Sequence, residues 1–307
     1  MLQIIAGAIF QGVGNAFVGL TVAPSALFLF LGCAFLLASL TGTVLRAINT
    51  TSKTPVPLRE TVALNIATAV TFGAFYLALI WVPALLAAGA EAAAAPLTAL
   101  VLAGITHRRP RLYLWMIAMA VFLLSLAFGW SQQAAGASAP GYGTAIGLAL
   151  GLTAGAGLAV LATISRHLAD KGISAYSILA VRYHATYLLA FACAAVNWQE
   201  YTSVERLGSL LLWLFPLGFV AVAFPLVLIQ SGMMRIPATI TSMIMASVPG
   251  ISFITESILV PETSSLLSWI LLFALVLAVC FYGRVERRLG TFRTTTEPPP
   301  PNPGTMA

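Results

Sequence analysis

Charged side chains are scarce in this 307-residue chain. Asp, Glu, Lys and Arg make up 8% of the sequence, whereas hydrophobic residues make up 60%. A soluble globular protein carries about 25% charged residues. So few charges cannot cover a surface that faces water, which excludes a soluble globular fold. We therefore expect the lipid bilayer to be the partner that surrounds most of the chain.

Cysteine is also rare, and no metal or phosphate motif is present. Cys33, Cys193 and Cys280 lie far apart in apolar runs, without the spacing of a metal site or a redox pair. With three scattered histidines and no phosphate-binding glycine loop, the sequence predicts no metal, no cofactor and no ATP hydrolysis. Lys and Arg are absent before Arg46, so the basic region of a cleavable signal peptide is missing. We interpret the first apolar run as a retained span.

Long hydrophobic runs dominate what is present. A membrane-spanning helix needs about 20 apolar residues, and helices satisfy their own backbone in lipid. Ten such segments can be drawn, which predicts an all-α polytopic membrane protein with ten transmembrane helices. Their predicted ranges are 2–20, 24–46, 61–82, 84–106, 112–130, 143–165, 175–197, 208–231, 236–259 and 264–284.

The basic residues predict the orientation. With the N-terminus in the cytoplasm, ten alternating spans place 13 of the 15 Lys and Arg on the cytoplasmic side. This is the positive-inside pattern of a cell (inner or plasma) membrane protein with both termini cytoplasmic. The basic excess therefore indicates orientation and not nucleic-acid binding. The 13 are Arg46, Lys53, Arg59, Arg108, Arg109, Arg111, Arg166, Lys171, Arg235, Arg284, Arg287, Arg288 and Arg293.

Ten spans divide into two sets of five. Because five is odd, two similar halves must cross the membrane in opposite directions, as in the inverted repeats of many secondary transporters. We predict one repeat over residues 1–135 and a second, inverted repeat over 136–288. The polar tail 289–307 contains four consecutive prolines and is predicted to be disordered in the cytoplasm.

Two proline pairs support the repeat. Pro83 and Pro96 in the fourth segment match Pro237 and Pro249 in the ninth, with spacings that differ by one residue. The first proline of each pair suits the start of a helix. Pro96 and Pro249 lie inside their helices, so each predicts a kink and removes a hydrogen bond from the carbonyl one turn earlier. A kink that lipid simply tolerates is the alternative interpretation of each proline.

The second half carries the resemblance to a known family. Gly147 to Arg166 form a glycine- and alanine-rich helix ending in basic residues, followed by Ser174 and an early Arg182 in the next helix. Pro249 is followed thirteen residues later by Glu262. These features resemble the EamA-type ten-helix transporters of the drug/metabolite transporter superfamily.

The first half resembles that family less, mainly through Pro96. It lacks an arginine in the second segment, and Arg109 stands where the family often has an acidic residue. The resemblance implies an inverted-repeat bundle with a central cavity that exports a small polar or amphipathic metabolite, such as an amino acid, by alternating access. It implies no particular substrate. The alternatives are a membrane-embedded enzyme acting on lipid-linked substrates and a non-transporting membrane subunit or receptor; the oligomeric state is not predicted.

Two glutamates are candidate substrate or proton sites. Glu91 lies about 10 Å into the fourth segment, where a lipid-facing carboxylate costs about 2.5 kcal/mol or more. It therefore faces the interior, or is neutral or paired in a structural role. Glu256 shares a helix face with Ser252 and Pro249, as a polar cavity wall would, although it is near enough to the interface to reach water. Proton coupling through either glutamate is a further hypothesis.

Other candidate substrate contacts are Arg182, Asn15 and Asn65. Arg182 is about seven residues into the seventh segment, where it serves substrate binding, a salt bridge or a conformational role. Asn15 is one turn from Gln11 on the first segment, and Asn65 belongs to a polar stripe on the third. Such stripes form interhelical hydrogen bonds or line a cavity, and the sequence does not separate these two roles.

Overall fold

The structure, a computed structural model, describes residues 1–49, 54–105, 110–135, 141–196, 204–260 and 265–288. Within these ranges every regular element is a helix. The tail 289–307, predicted to be disordered, lies outside the described residues. So do Lys53, Arg108, Arg109 and Glu262, on which parts of the orientation and family arguments rest.

Thirteen α-helices are formed in the described ranges. They are α1 (Leu2–Thr21), α2 (Leu27–Ile48), α3 (Leu58–Ala78), α4 (Ala84–Ile105), α5 (Leu112–Ala135), α6 (Tyr142–Asp170), α7 (Ala175–Arg182), α8 (His184–Val196), α9 (Val204–Gly218), α10 (Phe224–Met233), α11 (Ala238–Met245), α12 (Val248–Leu259) and α13 (Leu266–Arg288). A short 3₁₀ turn, Pro24–Ala26, precedes α2, and a π-helical segment, Phe219–Ala223, joins α9 to α10.

These helices make ten stretches long and apolar enough to cross a membrane. The predicted all-α fold is confirmed for the described residues, and so are ten helical stretches long and apolar enough to span a membrane. α7 and α8 form the seventh span, α9 and α10 the eighth, and α11 and α12 the ninth. Several boundaries differ from the prediction: α3 ends at Ala78, α5 continues to Ala135 and α13 to Arg288. α6 continues to Asp170, so Arg166 belongs to that helix and not to the predicted loop.

Proline explains two of the interruptions inside spans. Proline has no N–H to donate to the carbonyl four residues earlier. In the ninth span α11 ends at Met245 and α12 begins at Val248, so Pro249 lies in the first turn of a new helix. In the eighth span Pro225 follows the π-helical segment directly. By contrast, α4 runs through Pro96 without interruption, so of the two matched interior prolines, Pro96 and Pro249, only Pro249 lies at a break.

Each span packs against particular neighbours. α6 lies against α3 and α4, and α1 lies against α10 and α12. α2 packs on both α7 and α8, α5 packs on α13, and α4 packs on α11 and α12. The first, fourth, sixth and ninth spans therefore surround the interior of the bundle, where the candidate site lies.

Candidate functional site

A cavity lies between the first, fourth, sixth and ninth spans. The space open to the centre of a water molecule is about 20 Å³, and all the space between the atoms there, including open solvent, is about 350 Å³. Polar and apolar side chains both contribute to its wall, and Glu91 is its one ionisable lining residue. The lining residues are Gln11, Asn15, Ala88, Glu91, Ala92, Ala95, Leu158, Met245, Ala246, Val248 and Pro249.

Glu91 is held on a closely packed part of α4. A Cβ atom placed on Gly155 of α6 would lie 2.1 Å from the backbone oxygen of Glu91, and one on Gly151 would lie 2.9 Å from that of Ala87. Only glycine permits such contact, so α6 lies directly on the α4 backbone. Among the described residues, no hydrogen bond or ion pair holds the Glu91 carboxylate, although Tyr76 of α3 interacts with it electrostatically. The carboxylate is therefore free to meet a ligand.

The two interior prolines affect the same cavity. Pro96 has no N–H to offer Ala92, and Pro249 has none to offer Met245. Ala92 and Met245 both line the cavity, on the adjoining helices α4 and α11. Each wall therefore carries a backbone carbonyl that lacks its usual helical donor.

α1 supplies the amide side chains of the wall. Gln11 and Asn15 both line the cavity, and the Gln11 Oε1 atom is buried without a hydrogen-bond partner among the described residues. Glycines again set the distance between helices, because a Cβ on Gly12 would lie 2.7 Å from the Ile251 Cβ. A Cβ on Gly14 would lie 2.7 Å from the Ala221 carbonyl oxygen. α1 therefore rests on α12 and on the π-helical segment.

One side of the cavity is closed by an apolar cluster. Ile4 and Ala8 precede Gln11 along α1, and Ile240 precedes Met245 along the ninth span, so the cluster lies on the side of the α1 N-terminus. We call it the Ile4 cluster, and four of its members also line the cavity. Its buried residues are Ile4, Ala8, Ala95, Leu158, Ala162, Ile229, Met233, Ile236, Ile240, Met245 and Val248. The Nη1 atom of Arg166 also donates to the Met234 carbonyl there, 2.7 Å away, and so joins α6 to the end of α10.

Ser252 and Glu256 lie outside this cavity. The Ser252 hydroxyl donates to the Gly12 carbonyl, 2.9 Å away, and so joins α12 to α1. Glu256 is half-buried beside Gly19, whose added Cβ would lie 4.0 Å from its Oε1 atom. The helix face predicted to be one cavity wall is thus divided, because Pro249 lines the cavity whereas Ser252 and Glu256 do not.

Arg182 forms a separate buried cluster. It is 2% exposed, and its Nη1 atom donates to Oε1 of the fully buried Gln230 in α10. Its guanidinium carbon lies 4.6 Å from the centre of the Tyr183 ring, a cation–π contact. No described carboxylate lies within ion-pair distance of Arg182. Neither α7 nor α10 lines the cavity, so Arg182 does not meet Glu91.

Asn65 bridges the break between α7 and α8. Its Nδ2 atom donates to the Thr61 and Val181 carbonyls, at 2.9 and 2.6 Å, and its Oδ1 atom accepts from the Ala185 N–H at 2.9 Å. All the side-chain polar atoms of Asn65 are thus used in interhelical or local bonds. Of the two roles that the sequence left open for this stripe, the structure shows the interhelical one at Asn65.

The structure brings some of the predicted residues together and leaves others apart. Glu91, Asn15 and Pro249 meet in the cavity, with Pro96 one turn beyond its Ala92 wall. Arg182, Asn65, Ser252 and Glu256 lie elsewhere. The sequence reasoning missed Gln230, the partner of Arg182; the available signal was an uncharged polar residue near the end of an apolar segment, where such residues usually bond to another helix.

Comparisons with known proteins establish the fold only. No family profile and no curated protein matches this chain. A solved crystal structure is similar, with 20% identity, a TM-score of 0.68, and coverage of 94% of this chain and 98% of that chain. Fold and sequence together define an integral membrane protein with ten helices long and apolar enough to cross a bilayer.

Proposed function

We propose that the protein is a secondary transporter that exports a small polar or amphipathic metabolite by alternating access. The proposal includes membership of the EamA-type ten-helix transporters, location in the cell membrane, and both termini in the cytoplasm. The observation that carries it is the interior cavity, in which one unpaired carboxylate, Glu91, is surrounded by four spans. A carboxylate is expensive inside a membrane, and those that occur there commonly belong to substrate or proton paths.

The packing supports two inverted halves, 1–135 and 136–288. In an inverted repeat, each span of the first half corresponds to the span five places later in the chain. The contacts of the sixth span with the third and fourth then correspond to those of the first span with the eighth and ninth, and the structure contains both sets. Three further contacts join spans that correspond to each other, so the exchange leaves them unchanged. They are the second span with the seventh, the fourth with the ninth, and the fifth with the tenth. Such exchange is expected of inverted-repeat transporters, whose substrate sites lie at the interface of the repeats.

Matching glycine pairs in α1 and α6 support the same relationship. Gly12 and Gly14 of α1, and Gly155 and Gly157 of α6, all lie in close contact with neighbouring helices. The residue after the second glycine lines the cavity in both cases, as Asn15 in α1 and Leu158 in α6. Corresponding positions of the two proposed halves thus both line the cavity.

The closed side of the cavity supports alternating access. The Ile4 cluster fills the space beyond the cavity toward the N-terminus of α1, and its members come from the first, fourth, sixth, eighth and ninth spans. These spans come from both halves, so a relative movement of the halves would open that side. The structure then corresponds to one of the two states that such a cycle requires.

The same geometry argues for transport over catalysis. Chemistry on a lipid-linked substrate needs several convergent acids, bases or metal ligands. The described lining of the cavity has one ionisable residue, Glu91. Arg182 lies in another cluster and Glu256 lies at the end of the ninth span, so neither complements Glu91.

Flux measurements on reconstituted protein test the proposal. Protein in liposomes is tested with a panel of amines and amino acids, with and without a pH gradient, alongside Glu91→Gln and the matched control Glu256→Gln. We expect flux by the unaltered protein, loss of flux or of its pH response with Glu91→Gln, and retention of both with the control. Absence of flux across the panel contradicts the transporter; an unchanged pH response in Glu91→Gln contradicts proton coupling at that residue.

A further inference from the structure

We infer that the cavity binds the ammonium group of an organic amine, and that it selects amines over zwitterionic amino acids. This inference rests on the proposed transport function and narrows its substrate class. Two observations carry it: the charge of the cavity wall, and the chemistry of the atoms that lack partners there.

The charge of the wall is one-sided. Glu91 is the one ionisable residue of the described lining, which contains no Lys, Arg or His. A cation placed there gains a charge-assisted hydrogen bond to the Glu91 carboxylate. The carboxylate of an amino acid would be buried beside a like charge with no cation to balance it, which is costly in a medium of low dielectric constant. Arg182 does not supply that cation, because it is engaged with Gln230 away from the cavity.

The wall offers several acceptors that lack a partner, and its side-chain donors, the amide N–H groups of Gln11 and Asn15, carry no charge. Gln11 Oε1 is buried with no partner among the described residues. The Ala92 and Met245 carbonyls lack the donor that Pro96 and Pro249 would otherwise provide. An ammonium group has three donors and no acceptor. Glu91 and these three oxygens therefore offer more than enough acceptors for one primary ammonium group.

The rest of the wall is apolar. Ala88, Ala95, Leu158 and Val248 line it with hydrocarbon. An alkyl chain attached to the ammonium would lie against these residues and be removed from water, which favours binding. A small aliphatic amine therefore matches the wall better than a hydrated metal ion does.

Matched ligands separate the amine from the amino acid. 3-Methylbutylamine and L-leucine have the same branched chain and amino group and differ by the carboxyl group. Binding to the full-length protein in detergent is measured by titration calorimetry, and sodium chloride at equal ionic strength provides the metal-cation arm. We expect the amine to bind at least about tenfold more tightly than leucine, and sodium ions to have no comparable effect.

Variants of Glu91 and Gln11 test whether these side chains bind the ammonium group. Glu91→Gln is expected to abolish amine binding and Glu91→Asp to retain part of it, which separates loss of the charge from loss of the fold. Gln11→Leu is expected to weaken binding about tenfold, since a hydrogen bond to a charged group is lost. Gln3→Leu is its matched control, because Gln3 is also on α1 with a buried, unpartnered Oε1 but does not line the cavity.

The outcomes distinguish failure of the amine site from failure of the transport function. Leucine binding as tightly as the amine overturns the inference, and so does a response to sodium ions alone; flux of leucine would then leave the transport proposal in place. Equal loss of binding in Gln11→Leu and Gln3→Leu also overturns the assigned site. Amine binding that depends on Glu91, without flux of any amine in liposomes, supports the site and overturns the transport function.

Discussion

The Oδ1 atom of Asn65 accepts a hydrogen bond from the backbone N–H of Ala185, 2.9 Å away, at the start of α8. The same amide group donates to the Val181 carbonyl near the end of α7. These two backbone groups flank the break at Tyr183, which contains neither proline nor glycine. Asn65 therefore supplies, from another helix, the bonds that a continuous helix would make within itself.

We expect Asn65→Leu to destabilise the protein by about 1 to 3 kcal/mol, since the half-buried Ala185 N–H loses its partner and the Val181 carbonyl keeps only its contact with the His184 Nδ1 atom. Asn65→Asp keeps the acceptor for the Ala185 N–H but loses the donor to the Val181 carbonyl. Its stability should therefore lie between that of the unaltered protein and that of Asn65→Leu. Unfolding in detergent with increasing denaturant measures the effect. Equal stability of all three proteins would show that the break persists without Asn65.

Two glycine substitutions provide a matched pair. A Cβ on Gly155 would lie 2.1 Å from the Glu91 backbone oxygen, whereas one on Gly73 of α3 meets nothing within 4 Å. Gly155→Ala should destabilise the protein by about 1 to 3 kcal/mol, as overpacking does, and reduce flux because the Glu91 backbone must shift. Gly73→Ala should be neutral or stabilising by about 0.5 kcal/mol, through helix propensity. Thermal unfolding measures the stability of both variants. Equal changes in stability would contradict the close packing of α6 on α4.

The fold was predictable from the sequence because hydrophobic length alone identifies spans. The break between α7 and α8 was not predictable, because its cause is Asn65, about 120 residues earlier in the chain. Local patterns report proline breaks such as that at Pro249, but not breaks stabilised by a distant side chain.

The candidate site was predictable in part. Glu91 was identified because an ionised group in a span must avoid lipid. Asn15 and Asn65 show the same helical pattern in sequence, yet one lines the cavity and the other bonds to backbone atoms. The difference depends on how each helix is rotated against its neighbours. Glycine contacts such as Gly12 against Ile251 set that rotation, and a single sequence does not show which helix they meet.

Arg182 and Gln230 form a pair suited to a double-mutant cycle. Gln230→Leu should destabilise the protein by about 2 kcal/mol, because the guanidinium of Arg182 loses a side-chain acceptor inside the bundle. Arg182→Met combined with Gln230→Leu should recover much of that loss, since replacing both polar partners by apolar groups removes the burial cost. Denaturant unfolding of the four proteins gives the coupling energy. A double variant less stable than either single one would indicate that Arg182 is required for another reason.

The two interior prolines should differ in their effect on transport. Pro249→Ala restores an N–H for the Met245 carbonyl and allows α11 and α12 to join, so it removes an acceptor from the cavity and changes the shape of its wall. Pro96→Ala restores an N–H for Ala92 in a helix that is already continuous. We expect both variants to bind 3-methylbutylamine more weakly, and Pro249→Ala also to slow flux more strongly.

Pro216→Ala is the control, because Pro216 lies inside α9, away from the cavity lining. Calorimetry gives the affinities and liposome flux gives the rates; unaltered binding in both cavity variants would show that the freed carbonyls take no part in the site.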